Sequence, residues 1–182
     1  LESHFNMELV SRIFLHGHSM GGFVLLKFNK FSDANDLHDK ISGYILESPL
    51  TCYSYIFEET IKQLFIPQLL INQYWKRLRV HFNTVNPKLS PVENLAEVDI
   101  PLWGSINKDL LLIQAEHDDV LGSRHYDRLV EVQSEIKDNH FTFDEHIVPT
   151  LTHAKSRKNT ARDVIIEEWL KERIHSDSLT SA

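Results

Sequence analysis

A serine flanked by glycines limits most strongly what this chain can fold into. Residues 17–22 read Gly-His-Ser-Met-Gly-Gly and match the pattern G-x-S-x-G around Ser19. Residues 11–16, before the motif, form a short apolar run that is typical of a buried strand. From Met20 to Phe31 apolar residues recur at helical spacing. The sequence therefore predicts a strand, a tight turn and a helix in direct succession, with the serine in the turn.

The rest of the chain alternates between strand patterns and helix patterns. Further strands are predicted over residues 41–47, 110–115 and 141–148, and further helices over residues 123–137 and 159–174. Such alternation is typical of parallel strands joined by crossover helices. We therefore predict an α/β fold with a parallel sheet that is covered on both faces.

The segment between the second and third strands interrupts this alternation. Residues 50–80 are rich in large apolar side chains and predict one or two helices, interrupted at Pro67. Residues 81–107 contain three prolines and four asparagines and predict mostly loop. The chain is accordingly divided into a first core unit at residues 1–49, an insertion at 50–107 and a C-terminal core unit at 108–182.

The composition excludes several classes of protein. The 182 residues include 19 Lys and Arg against 26 Asp and Glu, and the net charge of −7 disfavours a general nucleic-acid surface. The single cysteine, Cys52, excludes an internal disulfide and a cysteine-rich zinc site, and is expected to be a buried small hydrophobe. No apolar run approaches the roughly 18 residues of a membrane-spanning helix. Because the chain opens at Leu1 and its first methionine is Met7, we expect it to begin within a longer protein.

Two further polar residues follow the last two predicted strands. Asp118 comes shortly after the strand at 110–115, and His153 follows the strand at 141–148. Because the carboxyl ends of parallel strands share one edge of a sheet, we expect both residues to approach Ser19 there. A serine, an imidazole and a carboxylate in contact supply a nucleophile, a base and an acid that orients the base.

Neighbouring residues of the same types compete for these roles. Asp119 is the alternative acid, although Asp118 comes first after its strand. His140 and His146 are alternative bases, but the first precedes the last predicted strand and the second lies within it. Position relative to the strand ends therefore favours Asp118 and His153.

Other histidines raise the question of a metal site. His16 and His18 alternate along the chain, and His117 lies near the end of the third predicted strand. No further ligand with zinc-binding spacing supports them, so we predict no metal. For His18, inside the motif, packing or orientation is a commoner role than proton transfer.

Three stretches, residues 12–22, 111–118 and 149–153, resemble the C-terminal part of an α/β-hydrolase of the serine esterase and lipase type. The resemblance extends from residue 11 to about residue 174, apart from the insertion. It implies that Ser19 is the nucleophile, Asp118 the acid and His153 the base, with no cofactor. The motif Gly-His-Ser-Met-Gly-Gly is similar to monoacylglycerol lipases and lysophospholipases. Ser90-Pro91 and residues 116–121 are similar to hormone-sensitive-lipase-like esterases, including fungal steryl deacetylases. The subfamily stays open.

The resemblance also implies parts of the fold that these residues do not include. Only the last strands of the family's larger central sheet are recognisable, so we expect the N-terminal half of the fold to be missing. The Met20 N–H is one of the two expected oxyanion donors, and the second comes from an early loop without a counterpart here. Loss of one such donor costs about 10²–10³ in turnover. We therefore expect the chain alone to be inactive, or to fold only with a partner segment.

By the same resemblance, the apolar residues 54–75 stand where a lid or cap is inserted over the active site. An apolar cap suits an acyl or lipid substrate, and the candidate substrate-binding residues are Phe57, Leu64, Phe65 and Trp75. The equal alternative is that these residues complete the core or contact the absent half. A lid of this kind implies peripheral membrane contact, and we expect a cytoplasmic or membrane-associated protein rather than a secreted one.

The expected function is hydrolysis of carboxylic esters, either lipid acyl esters or acetyl esters, through an acyl-enzyme. The expected partner is a small-molecule ester or lipid, not a nucleic acid. The alternative hypothesis is a truncated, non-catalytic hydrolase-like protein that binds a lipid or a partner. The absent half of the sheet favours this alternative, whereas the presence of Ser19, Asp118 and His153 argues against it.

Overall fold

The computed structural model describes residues 7–31, 36–85, 92–136, 140–153 and 158–175. The strands are β1 (Ile13–His18), β2 (Ile41–Glu47), β3 (Asp109–Ala115) and β4 (Phe143–Val148). The helices are α1 (Met20–Phe31), α2 (Asp36–Lys40), α3 (Tyr53–Gln63), α4 (Gln68–Val85), α5 (Arg124–Ser134) and α6 (Thr160–His175). Short 3-10 turns cover Met7–Leu9 and Leu95–Val98.

The strands form one parallel sheet in the order β1-β2-β3-β4. The parallel sheet and its flanking helices confirm the predicted fold class. Nearly all residues of β2 and β3 are buried, as expected for central strands that are covered on both faces. The strands β1 and β4 form the edges of the sheet that the described residues build, and they are more exposed.

Successive residues of β3 point to opposite faces of the sheet and enter two separate apolar cores. On one face Leu112 belongs to a cluster with Leu26 of α1 and Leu129 of α5. On the other face Ile113 belongs to a cluster with Trp169 of α6. The helices α1 and α5 therefore cover one face, and α6 covers the other.

The insertion consists of two helices that are separated at Pro67, as predicted. The predicted loop from residue 81 onward is wrong for residues 81–85, because α4 continues to Val85. No proline or glycine interrupts the sequence between Gln68 and Val85, so the helix has no intrinsic reason to stop earlier. None of the helices that the structure describes combines the length and apolar character needed to cross a bilayer.

The irregular segment at residues 92–107 packs into the core instead of forming a surface loop. Trp103 stacks on Phe23 of α1, with ring centroids 5.1 Å apart. Gly104 lies against the same helix, since a Cβ at this position would be 2.2 Å from the Leu26 carbonyl oxygen. Buried residues along this segment are Val92, Val98, Ile100, Trp103 and Ile106. The segment therefore completes the apolar core beside α1.

His125 of α5 holds the connection between β2 and α3. The side chain is 3% exposed, and its Nδ1 accepts hydrogen bonds from the N–H groups of Thr51 (3.1 Å) and Cys52 (3.3 Å). An imidazole nitrogen that accepts hydrogen bonds carries no proton, so the ring is neutral with its proton on Nε2. Burial, together with the nearby Arg124 charge, lowers the pKa of His125 from 6.5 to about 4.

We predict that His125 makes the protein less stable as the pH falls from 6.5 towards 4. The unfolded chain binds a proton at this residue near pH 6.5, whereas the folded chain does so only at about pH 4. Unfolding therefore takes up a proton in this window, and the free energy of unfolding falls with pH. Between pH 7 and pH 5 this residue should lower it by about 2 kcal/mol.

Urea unfolding of the wild type and of His125→Asn at both pH values checks this prediction. Asparagine keeps an acceptor near the position of Nδ1 but does not titrate. The loss of stability between pH 7 and pH 5 should be smaller in the variant by about 2 kcal/mol. An equal loss in both proteins would show that His125 is not the titrating group.

Candidate active site

Ser19 lies in the turn between β1 and α1 with a backbone φ of 51°, in the left-handed region that residues other than glycine seldom adopt. Its N–H donates to the carbonyl oxygen of Glu47 (3.0 Å), and its own carbonyl accepts from the N–H of Leu50 (3.1 Å). Both bonds tie the turn to the end of the neighbouring strand β2. These contacts hold a strained residue in one conformation at the carboxyl end of β1.

Two glycines make the turn possible, and one of them lies one position beyond the G-x-S-x-G motif. A Cβ at Gly17 would be 2.7 Å from the backbone of Gly21, so the first glycine of the motif is needed. A Cβ at Gly21 would have no described atom within 4 Å, so no described contact requires glycine there. Gly22 is needed as well, since a Cβ at Gly22 would be 2.5 Å from the Cβ of Pro49.

Asp118 lies in the loop after β3, and its side chain is 1% exposed. Its Oδ1 accepts hydrogen bonds from the N–H groups of Leu121 (2.8 Å) and Val120 (3.0 Å). Its Oδ2 lies 2.8 Å from Nδ1 of His153. Burial raises the pKa of Asp118, but the hydrogen bonds from Leu121, His153 and Val120 outweigh burial and hold the pKa below its ordinary value. The carboxylate is therefore ionised at neutral pH.

His153 follows β4, is 7% exposed, and connects the other two residues. Because the ionised carboxylate of Asp118 can only accept, Nδ1 of His153 carries the proton and donates to it. The Nε2 of the neutral ring is then an acceptor, and it lies 2.9 Å from Oγ of Ser19. The serine hydroxyl can therefore donate to an imidazole whose other nitrogen is held by a carboxylate.

The structure brings together Ser19, Asp118 and His153, and not their competitors. Asp119 is exposed in the loop beside Asp118. His140 is exposed before β4, and His146 is exposed on β4 itself. In the described part of the chain, the hydrogen bonds of the His153 ring go to Asp118 and Ser19.

The turn also places Met20 and His18 near the serine. Met20 is the first residue of α1, so its N–H has no partner within the helix. The ring of His18 lies 4.9 Å from the ring of His153, between centroids. Burial lowers the pKa of His18, so the ring is neutral at neutral pH. His18 thus packs against the imidazole of His153 without adding a charge.

Glu47 at the end of β2 is a buried carboxylate that the sequence analysis missed. Its side chain is 2% exposed and lies 3.3 Å from Nη1 of Arg162 and 3.3 Å from Nε2 of His16. Burial raises the pKa of Glu47, but His16 and Arg162 outweigh burial and lower it. Arg162 belongs to α6, which follows His153, so the ion pair ties that helix to the strand next to Ser19. The available signal was an acidic residue ending an otherwise apolar strand.

The histidines that raised the question of zinc have different surroundings. His16 pairs with Glu47, His18 packs on His153, and the side chain of His117 is 90% exposed. In the described ranges, no group of three His, Cys, Asp or Glu side chains is arranged to hold a metal ion.

The four candidate substrate-binding residues do not form one surface. Phe57 is buried between the two helices of the insertion, and its ring meets that of Trp75 edge-on at 5.9 Å. Leu64 and Phe65 lie in the turn between α3 and α4 and are 60% and 89% exposed. Phe57 and Trp75 therefore pack within the insertion, whereas Leu64 and Phe65 face outward.

A pocket that the sequence analysis missed lies between α3 and the loop that carries Asp118. It has a volume of about 530 Å³. Its walls include Tyr55, Ile56 and Thr60 on one side and Leu121 beside Asp118 on the other. Arg124 covers the Tyr55 ring at 4.0 Å and pairs with Glu58 at 3.0 Å. Sequence spacing carries no signal for this pocket, because two segments about 60 residues apart meet there.

Solved structures of hydrolases share this arrangement of strands and helices. A carboxylesterase from Lactobacillus plantarum is 15% identical, with a TM-score of 0.56 over 90% of this chain and 59% of its own. A protein of unknown function from Agrobacterium tumefaciens is 13% identical, with a TM-score of 0.53 over 91% of this chain and 52% of its own. A monoacylglycerol lipase from Paleococcus ferrophilus is 19% identical, with a TM-score of 0.50 over 90% of this chain and 69% of its own.

At these identities the likeness shows the fold alone, and the described residues form part of an α/β-hydrolase fold. The chain spans between about half and two thirds of the length of these structures. No protein-family model matches the sequence, and no curated protein matches it.

The two neighbouring glycines of the turn supply a matched test of its packing. We predict that Gly22→Ala destabilises the protein, because its new Cβ would lie 2.5 Å from that of Pro49. Overpacking of this kind costs about 1–3 kcal/mol. We predict that Gly21→Ala is neutral or stabilising by up to about 1 kcal/mol, because its Cβ meets no described atom within 4 Å and alanine favours the helix.

Thermal unfolding of both variants beside the wild type measures the difference. The melting temperature should fall for Gly22→Ala and not for Gly21→Ala. A larger loss for Gly21→Ala would mean that further atoms pack on that glycine.

Proposed function

We propose that this chain carries the catalytic residues of a serine hydrolase that cleaves carboxylic esters. The observation that supports the proposal most directly is the line of contacts from Ser19 Oγ to His153 Nε2 (2.9 Å) and from His153 Nδ1 to Asp118 Oδ2 (2.8 Å). The strained backbone of Ser19 supports it further, because such strain is concentrated at functional sites.

In the proposed reaction Nε2 of His153 takes the proton of Ser19 as Oγ attacks the ester carbonyl carbon. The imidazolium then gives this proton to the departing alcohol, and the acyl group remains on Oγ. Water then attacks the acyl carbon while His153 takes its proton. The imidazolium returns that proton to Oγ as the bond between Oγ and the acyl carbon breaks, and the acid product leaves. The ionised Asp118 keeps the proton of the neutral ring on Nδ1 and stabilises the imidazolium.

As Oγ attacks, negative charge develops on the ester carbonyl oxygen, and hydrogen-bond donors that point at this oxygen stabilise the charge. We assign one to the N–H of Met20, since the first amides of a helix lack partners within the helix. We propose that a second donor comes from a segment outside the described residues, which would also pair with the exposed edge of β1. With a single donor, turnover would be lower by about 10²–10³.

The proposed substrates are esters with a lipid acyl or an acetyl group. Support comes from the apolar part of the pocket beside Asp118, which Ile56 of α3 forms with Val120 and Leu121. The rest of this pocket is polar and includes Glu59 and Arg124. Apolar side chains stabilise a bound hydrocarbon by about 25 cal/mol per Å² of buried surface. A panel of p-nitrophenyl esters from acetate to long-chain acyl esters would measure the preferred chain length.

We predict that a fluorophosphonate probe labels this chain covalently at Ser19, because such a probe reacts with a serine that an imidazole activates, even where a missing oxyanion donor makes ester turnover too slow to detect. Intact mass after labelling should show one adduct on the wild type and none on Ser19→Ala. The matched control is Ser134→Ala, which removes an exposed serine of α5 and should label like the wild type. Labelling of Ser19→Ala would contradict the proposal.

Asp118 and Asp119 provide a second matched pair. In the complete protein Asp118→Asn should lower turnover by about 10⁴, because the amide favours the wrong tautomer of His153. Asp119→Asn should leave turnover unchanged, since Asp119 is exposed beside the site. Steady-state kinetics of the two variants checks the assignment, and the reverse order of effects would move the acid to Asp119.

A further inference from the structure

The turn between α3 and α4 and the first residues of α4 carry a group of exposed apolar side chains, which we term the tip cluster. Its members and their exposed fractions are Leu64 at 60%, Phe65 at 89%, Leu69 at 90% and Leu70 at 47%. Two of these side chains are almost as accessible as in an unfolded chain. Contiguous exposed apolar surface of this kind marks a binding surface.

The tip cluster is presented by a hydrogen-bonded turn. The N–H of Leu64 donates to the carbonyl of Thr60 (2.9 Å), and the N–H of Phe65 donates to that of Lys62 (3.1 Å). Phe65 adopts a φ of 50°, a conformation that costs energy for an aromatic residue. The turn therefore holds a large apolar side chain outward at a strained position.

The surrounding sequence has a charge opposite to that of the whole chain. Residues 60–92 contain no Asp or Glu, although the chain has 26 of them and a net charge of −7. The same stretch contains Lys62, Lys76, Arg77, Arg79 and Lys88. Lys62 pairs with Glu59 and Arg79 pairs with Glu93, whereas Lys76 and Arg77 are exposed on α4. The side chains of Lys76 and Arg77 therefore form a local basic region on an acidic protein.

The basic region and the tip cluster meet at a groove on α4. The groove has a volume of about 240 Å³ and is lined by Ile66, Leu70, Gln73, Tyr74 and Arg77. The groove therefore presents the Arg77 guanidinium and the Gln73 amide beside apolar and aromatic side chains.

We infer that the tip cluster and the exposed face of α4 dock on an anionic lipid surface. Helices that lie at such surfaces combine an apolar side, which enters the boundary of the acyl chains, with Lys and Arg at the headgroups. Leu69, Lys76 and Val80 recur at helical spacing on the exposed side of α4, and Val80 is 64% exposed. Lys76 lies about 10 Å along the helix from Leu69, so both side chains can reach the same lipid surface when the helix lies in its plane.

Docking there would bring the lipid surface close to the pocket beside Asp118. The helix α3 runs from this pocket, where Tyr55 and Ile56 form part of the wall, to the turn that carries Phe65. The inference concerns binding and does not depend on the proposed hydrolysis, because Ser19 takes no part in it.

Vesicle flotation of the full chain tests the inference. We expect binding to phosphatidylcholine vesicles that contain phosphatidylserine and weak or no binding to phosphatidylcholine alone. The double variant Phe65→Ser/Leu69→Ser should lose at least tenfold in binding to the anionic vesicles. Lys76→Gln/Arg77→Gln should lose about 25-fold, since each basic residue near an anionic surface contributes about fivefold. Binding should also weaken as salt is raised.

Matched controls separate the tip cluster from general effects of charge and hydrophobicity. Leu9→Ser removes an apolar side chain that is 82% exposed outside the insertion, and should bind like the wild type. Lys158→Gln/Lys171→Gln removes two exposed charges elsewhere and should lower binding less than the α4 pair. Ser19→Ala should bind like the wild type, so a failure of the proposed hydrolysis leaves this result unaffected.

Circular dichroism of each variant confirms that it is folded before binding is compared. No binding to anionic vesicles, or binding that the tip variants leave unchanged, would overturn the inference. Sedimentation of the free chain supplies a further contrary outcome. Self-association that Phe65→Ser/Leu69→Ser abolishes, without vesicle binding, would make the tip cluster an interface between copies of this chain.

Discussion

Parallel pairing of the four strands is the constraint on which the site depends. It places the carboxyl ends of β1, β3 and β4 at one edge of the sheet, and each of these ends is followed by one member of the Ser19, Asp118 and His153 group. Residues 134 positions apart are then close enough for a contact of 2.9 Å. No local interaction could achieve this, because the intervening chain must first form the sheet.

Buried polar groups then hold these strand ends in register with the helices. Glu47 binds the Ser19 turn through its backbone carbonyl and Arg162 of α6 through its carboxylate. Nδ1 of His125 accepts hydrogen bonds from two backbone N–H groups in the connection between β2 and α3. Removal of one partner from such a buried pair lowers the free energy of unfolding, because the other polar group stays buried without a hydrogen-bond partner. These polar contacts therefore restrict the loops around the site in addition to the apolar cores.

The apolar side chains of the insertion, unlike those of the core, divide into a packed group and an exposed group. Phe57 and Trp75 pack between its two helices, whereas Leu64, Phe65 and Leu69 face outward at its far end. The sequence pattern indicated apolar helices but could not separate these groups. The division between inner and outer side chains is set by the angle of the turn at Pro67 and by what each helix packs against. Hydrophobicity alone does not encode either quantity.

The sequence by itself determined the order of the four strands and of the longer helices, the turn at Ser19, and the aspartate and histidine that follow their strands, because these depend on local periodicity and on position after a strand. Only the tertiary structure decided that Gly22 and not Gly21 meets Pro49, that Glu47 pairs with Arg162, and that a pocket forms beside Asp118. Each of these is a contact between segments distant in the chain. Such contacts depend on how helices and loops pack against the completed sheet, and residue spacing does not predict that packing.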